Sequence, residues 1–290
     1  FFNYMSLEVN DKKCDNNTIK RKDGCTMKKI HLIYAACLLV GMGACAASVQ
    51  KQVKDNSDVW KEYNTGAVLF EDKAPETLGS DIYHRIIPDA ESYIKEQART
   101  VLATLYNSPE DSIPAVHKIH YTLEDINGIS AKGGGNGDVT IFYSTRHIEK
   151  SFAANDTAKL FFETRGVLLH ELTHAYQLEP QGIGSYGTNR VFWAFIEGMA
   201  DAVRVANGGF DGPNARPKGG NYMDGYRTAG YFFVWLRDNK DPEFLRKFNR
   251  STLEVIPWSF DGAIKHVLGD EYNIDELWHE YQVAVGDIQA

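Results

Sequence analysis

Two histidines four positions apart enclose an acid in His170-Glu171-Leu172-Thr173-His174. On an α-helix such positions lie about 40° apart around the axis and one turn up, so both imidazoles face one point. That geometry suits a pair of metal ligands. Glu171 sits about 100° around from His170 but only about 60° from His174, near enough to reach a water held on a shared metal without ligating it. The H-E-x-x-H spacing is that of zinc hydrolases.

A catalytic zinc takes three protein ligands and leaves the fourth position to water, so two histidines require a third ligand from elsewhere. A histidine six residues after His174 would complete one common pattern, but that position is Pro180. The other common solution is a glutamate from a following helix. Glu197 lies 23 residues beyond His174, and Asp201 one turn further faces the same way. One carboxylate can bind the metal while the other accepts the free N–H of a ligand histidine and fixes its tautomer. The competing reading makes Glu197 and Asp201 solvated acids paired with Arg204. With Zn2+ in place, bound water is acidified, Glu171 takes its proton during attack on a carbonyl carbon, and the proton passes to the leaving amine. Tyr226 is the candidate stabiliser of the oxyanion, against the alternative of a core aromatic. His84, His117, His120, His147, His266 and His279 show no paired ligand spacing and read as surface or core residues.

These side chains need helices to carry them. A helical region over Asp156 to Leu178 holds the motif, with Pro180 and Gly182 ending it. Phe192, Phe195, Ile196, Met199, Ala200 and Val203 then form an apolar stripe that demands burial, closed by Gly208-Gly209. Pro88 to Asn107 is a further amphipathic helix, and Val116 to Thr122 and Val139 to Ser144 read as strands. Between them, Lys132-Gly133-Gly134-Gly135-Asn136-Gly137-Asp138 lacks a following Gly-Lys-Ser/Thr or helix, so it is expected to be a flexible hairpin connection rather than a phosphate loop. Its functional alternative has Val139 to Tyr143 bordering the cleft and pairing with an extended substrate. Helices are expected near Tyr222 to Arg237, Pro242 to Asn249, Phe260 to Leu268 and Ile274 to Gln282. The irregular stretches Gly182 to Thr188 and Gly209 to Asn221 are expected to line the specificity pocket.

Composition bounds the rest. With 290 residues, 43% of them hydrophobic, the chain can bury a sizeable core. All four cysteines, Cys14, Cys25, Cys37 and Cys45, precede Ala46, which excludes disulfides or a cysteine-ligated zinc in the folded part. Seven Lys and Arg against four Asp and Glu give residues 1–45 a charge of +3, leaving −11 of the total −8 for the remainder. No basic cluster follows, so a nucleic-acid partner is not expected. Met27-Lys28-Lys29, an apolar run from Ile30 to Val40 and small residues to Ala47 resemble an export signal. Ala44-Cys45-Ala46 fits ordinary cleavage, while Met42-Gly43-Ala44-Cys45 resembles a lipobox that would leave Cys45 lipidated, the only membrane attachment expected. Translation is expected to start at Met27, with residues 1–26 upstream of the true start, 46–80 a tether and domain entry, and 81–290 the catalytic domain. The expected location is extracytoplasmic, as an envelope lipoprotein or a secreted protein.

Three blocks carry a resemblance: Gly166 to Gln177 around the motif, Ile196-Glu197-Gly198-Met199-Ala200-Asp201-Ala202-Val203-Arg204, and Gly225-Tyr226-Arg227-Thr228-Ala229. With the glycine-rich stretch and Leu277-Trp278-His279-Glu280-Tyr281, they resemble the basic secretory protein family of plants and bacteria over about Ile119 to Gln282. The resemblance implies a gluzincin-like half-fold with His170, His174 and Glu197 as zinc ligands and Glu171 as base. The family is named for basic plant proteins whereas this chain is acidic, so no plant partner is carried over. The expected fold is α+β and zincin-like, a small mainly antiparallel sheet on the active-site helix with a helical C-terminal part. The expected protein is a monomeric zinc metallopeptidase acting on proteins or peptides, glycoproteins included. Its rivals are an idle cell-surface module that holds a glycan or peptide, and a zinc hydrolase of another bond.

Overall fold

A computed structural model describes residues 57–289. The expected start at Met27, the export signal and most of the tether lie outside the described residues. The elements run β1 (Ala67–Asp72), α1 (Leu78–Ile86), α2 (Ala90–Leu105), β2 (Lys118–Glu124), β3 (Ser130–Gly135), β4 (Asp138–Ser144), α3 (Thr145–Ser151), α4 (Thr157–Tyr176), α5 (Arg190–Ala206), α6 (Tyr226–Asn239), α7 (Phe244–Glu254), α8 (Phe260–Leu268) and α9 (Ile274–Ala284). The class is α+β, as expected. Folded structure begins before residue 81, because Trp60 is fully buried and β1 already pairs in the sheet.

The four strands lie in the order β1-β2-β4-β3. β1 with β2 and β2 with β4 are parallel, and only β3 with β4 is antiparallel. The expectation of a mainly antiparallel sheet is therefore corrected to a mixed one. The reason is connectivity: α1 and α2 stand between β1 and β2, long enough for a parallel crossover, and β4 inserts between β2 and β3.

A second correction concerns the glycine run. Gly133 to Gly135 belong to β3, and the turn proper is Asn136 (φ 52°) and Gly137 (φ 82°), the two left-handed residues of a tight hairpin. Main-chain pairing thus orders a stretch whose composition suggested flexibility. It also moves the exposed edge. β4 is paired on both sides, so β3 and not Val139 to Tyr143 forms that border of the sheet.

One face of the sheet contributes Val68, Ile119, Tyr121, Leu123, Val139, Ile141 and Tyr143 to the core, which continues through Leu168, Leu169 and Leu172 of α4 and Phe195, Met199 and Val203 of α5. Burial of each such side chain favours folding by about 1.5–3 kcal/mol, so the apolar stripe on α5 alone fixes that helix against its neighbours. α4 packs on β3 and α2, and α5 lies between α4 and α6. Polar ties across these layers include Tyr143 Oη to Thr164 Oγ1 at 3.2 Å and Tyr176 Oη donating to the Thr65 carbonyl at 2.7 Å.

Candidate metal centre

α4 begins at Asp156, whose side chain accepts the Lys159 N–H at 2.9 Å, and runs without interruption through the motif to Tyr176. Its last turns are held by buried Leu168, Leu169 and Leu172. α5 begins at Asn189, which caps the N–H groups of Val191 and Phe192. The close packing of the two helices brings Glu197 beneath the histidines.

One nitrogen of each histidine and one oxygen of Glu197 converge within 4.8 Å of one another. His170 Nε2 and His174 Nε2 are 3.1 Å apart, and Glu197 Oε2 is 3.3 Å from the first and 3.7 Å from the second. Oε2 is buried with no hydrogen-bond partner. A buried carboxylate oxygen facing two imidazole nitrogens is satisfied by a cation, so the donor set fits a metal such as zinc. Among the described residues this is the group of that kind.

Electrostatics point the same way. Burial opposes charge on His170, but Asp201 beside it, with a 2.7 Å contact to Nδ1, and Glu197 outweigh that cost and hold its pKa well above the ordinary value. His174, buried next to that charge, is pushed down to about 3. Glu197 is penalised by burial yet kept below the ordinary carboxylate value, chiefly by the neighbouring imidazoles of His170 and His174. Asp201 and Glu197 thus favour positive charge on His170, while burial and that charge keep His174 neutral.

Glu171 is buried beside this point, and burial raises its pKa against the opposing charge of His170 and the influence of Ser130 and Lys132 on β3. Tyr226 stacks on His170 with ring centroids 6.1 Å apart and planes at 14°. It stands at the first position of α6 with φ 42°, a strained value for a residue bearing a side chain. Trp193, under the guanidinium of Arg190, packs edge-on against the same tyrosine at 5.4 Å.

Residues 65–281 match the family described as BSP, peptidase of plants and bacteria. The chain belongs to that family. Comparison with curated proteins and with solved structures finds no match. Membership implies a protein or peptide substrate for this peptidase-family chain. No helix among the described residues is long and apolar enough to cross a membrane.

Every site residue singled out in the sequence lies in this one place: His170, Glu171, His174, Glu197, Asp201 and Tyr226. Arg204 does not pair with Glu197 or Asp201. Its Nη2 donates to Glu163 Oε2 at 2.6 Å, His147 lies 3.1 Å from the other oxygen of Glu163, and the Phe210 ring covers the guanidinium at 3.7 Å. Arg204 thus ties α5 to α4 and leaves the two acids to the histidines. Gly166 follows from the same contact, because a Cβ there would lie 2.4 Å from Arg204 Nε.

Two neighbours of the ligands escaped sequence reading. The Gln177 amide lies 2.8 Å from His174 Nδ1, and Tyr186 Oη donates to Glu197 Oε1 at 2.5 Å. Gln177 carried a signal, since it follows His174 by three positions. Tyr186 carried none, being in the aperiodic connection between α4 and α5.

Proposed function

We propose that the protein is an exported zinc-dependent metallopeptidase of zincin-like fold, with His170, His174 and Glu197 as ligands and Glu171 as general base. The observation that carries this reading is the convergence of two imidazoles and one orphaned carboxylate oxygen beside a buried second carboxylate, in a chain of a peptidase family. Bound zinc supplies a Lewis acid and lowers the pKa of its water toward neutrality. Glu171, held at the edge of β3, accepts the proton of the attacking water and delivers it to the leaving amine. Asp201 keeps the proton of His170 on Nδ1, so that Nε2 keeps its lone pair for the metal. Tyr226, stacked on His170, is proposed to donate its hydroxyl to the developing oxyanion.

Substrate placement follows from strand chemistry. The Ser144 N–H bonds to the Ile129 carbonyl, so alternation turns the main-chain groups of Ser130 and Lys132 away from β4 and toward the free edge. Lys132 is among the neighbours that lower the pKa of Glu171. An extended peptide laid along β3 passes directly by the base.

Export rests on the residues 27–45 pattern, with lipidation at Cys45 as the proposed anchor. The decisive experiment combines metal analysis of the purified protein with peptide-library cleavage by wild type and Glu171→Gln. Stoichiometric zinc in both, with cleavage by wild type alone, supports the peptidase. Zinc without cleavage by wild type favours an idle binding module, and a protein that takes up no zinc removes the assignment.

A further inference from the structure

Each of the three converging side chains has a polar partner on its far side. Asp201 meets His170 Nδ1, Gln177 meets His174 Nδ1, and Tyr186 meets Glu197 Oε1. The three partners come from different places: Asp201 from α5, Gln177 from the C-terminal end of α4, and Tyr186 from the connection that follows. We propose that Gln177 and Tyr186 are positioning residues of the metal centre, doing for His174 and Glu197 what Asp201 does for His170. This rests on the zinc-binding reading of that group.

The chemistry of the donors requires such partners. A histidine that ligates through Nε2 carries its proton on Nδ1, which in a buried site needs an acceptor. Gln177 is 5% exposed, and its Oε1 is buried with no hydrogen-bond partner. A half-turn of the amide, which exchanges its oxygen and nitrogen without moving the rest of the side chain, sets that oxygen on the Nδ1–H. The orphaned oxygen and the ligand proton then satisfy each other.

Tyr186 acts on the carboxylate. Its hydroxyl occupies Oε1, which leaves Oε2 as the oxygen turned to the two Nε2 atoms. A carboxylate held by one oxygen binds metal through the other, which preserves an open coordination position for water. Without the tyrosine, Glu197 is free to rotate or to offer both oxygens.

The test measures zinc affinity on the full chain by competition with a chromophoric chelator, for wild type, Tyr186→Phe, Gln177→Leu and Gln177→Glu. Unfolding temperature is followed in the chelated state. Tyr186→Phe and Gln177→Leu are each expected to weaken zinc binding about 10- to 100-fold, the range for partners behind metal ligands. Gln177→Glu keeps an acceptor oxygen and is expected to retain wild-type affinity within about threefold. A purely packing role for Gln177 predicts no such rescue. If Gln177→Leu fails to fold, Tyr186→Phe, which removes only a hydroxyl, decides the matter. Wild-type zinc binding with unchanged affinity in Tyr186→Phe and Gln177→Leu overturns the positioning role and leaves the metal site standing. Failure of wild type to bind zinc overturns both.

Discussion

Glu171, beside β3, and Tyr226, stacked on His170, have different proposed roles and should fail differently. Glu171→Gln is expected to retain zinc while losing peptide cleavage by about 10²- to 10⁴-fold, the scale of a general base, read by turnover with metal analysis on the same sample. Tyr226→Phe should lower kcat by about 10²- to 10³-fold with KM little changed, because an oxyanion donor acts in the transition state. A KM effect alone would make Tyr226 a wall of the cleft. Glu163 gives a pH test. Burial raises its pKa, but the hydrogen bond from His147 and the charge of Arg204 more than offset this, so the folded value lies below the unfolded one. Its stabilising effect is complete above the unfolded carboxylate pKa and is lost as pH falls through the folded value. Glu163→Gln should flatten that acid limb of the stability curve. It should also cost about 2–4 kcal/mol near neutrality, less than a wholly buried pair would, since Glu163 keeps 27% of its side chain exposed.

The helices that carry the candidate site were legible in the sequence, as were strands β2 and β4, but β1, β3 and the pairing of the sheet were not. α4 announces itself through Asp156 as cap and Pro180 as stop, and α5 through its unbroken stripe from Phe192 to Val203. Such local signals exist because a helix satisfies its main chain internally. A strand borrows its hydrogen bonds from elsewhere, so nothing local in Ser130 to Gly135 tells that β4 will accept it or that β2 will flank β4 in parallel. The same holds for Tyr186, whose role depends on where an irregular connection returns. Packing between α4 and α5 supplies its own prediction. Gly166→Ala inserts a methyl against Arg204, which is fixed by Glu163 and Phe210, and should destabilise by about 1–3 kcal/mol in chemical denaturation. If Gly166→Ala is neutral, the guanidinium is more mobile than these contacts imply.

Over the molecule as a whole, no cysteine follows Cys45, so no disulfide can brace the folded part in an oxidising compartment. In the proposed zinc-bound form an ion would take that place, since His170 and His174 belong to α4 and Glu197 to α5. Zinc at 1,000 times its Kd would add about 4 kcal/mol, or on the order of 10 °C in unfolding temperature. Calorimetry with and without chelator should show that difference, while a thiol reductant should show none. A chelator-insensitive Tm would mean that packing alone holds the helix pair. One consequence concerns turnover. On the proposed reading the bridge and the catalytic machinery depend on the same three side chains, so a molecule that lost its ion would become inactive and more easily unfolded in one event.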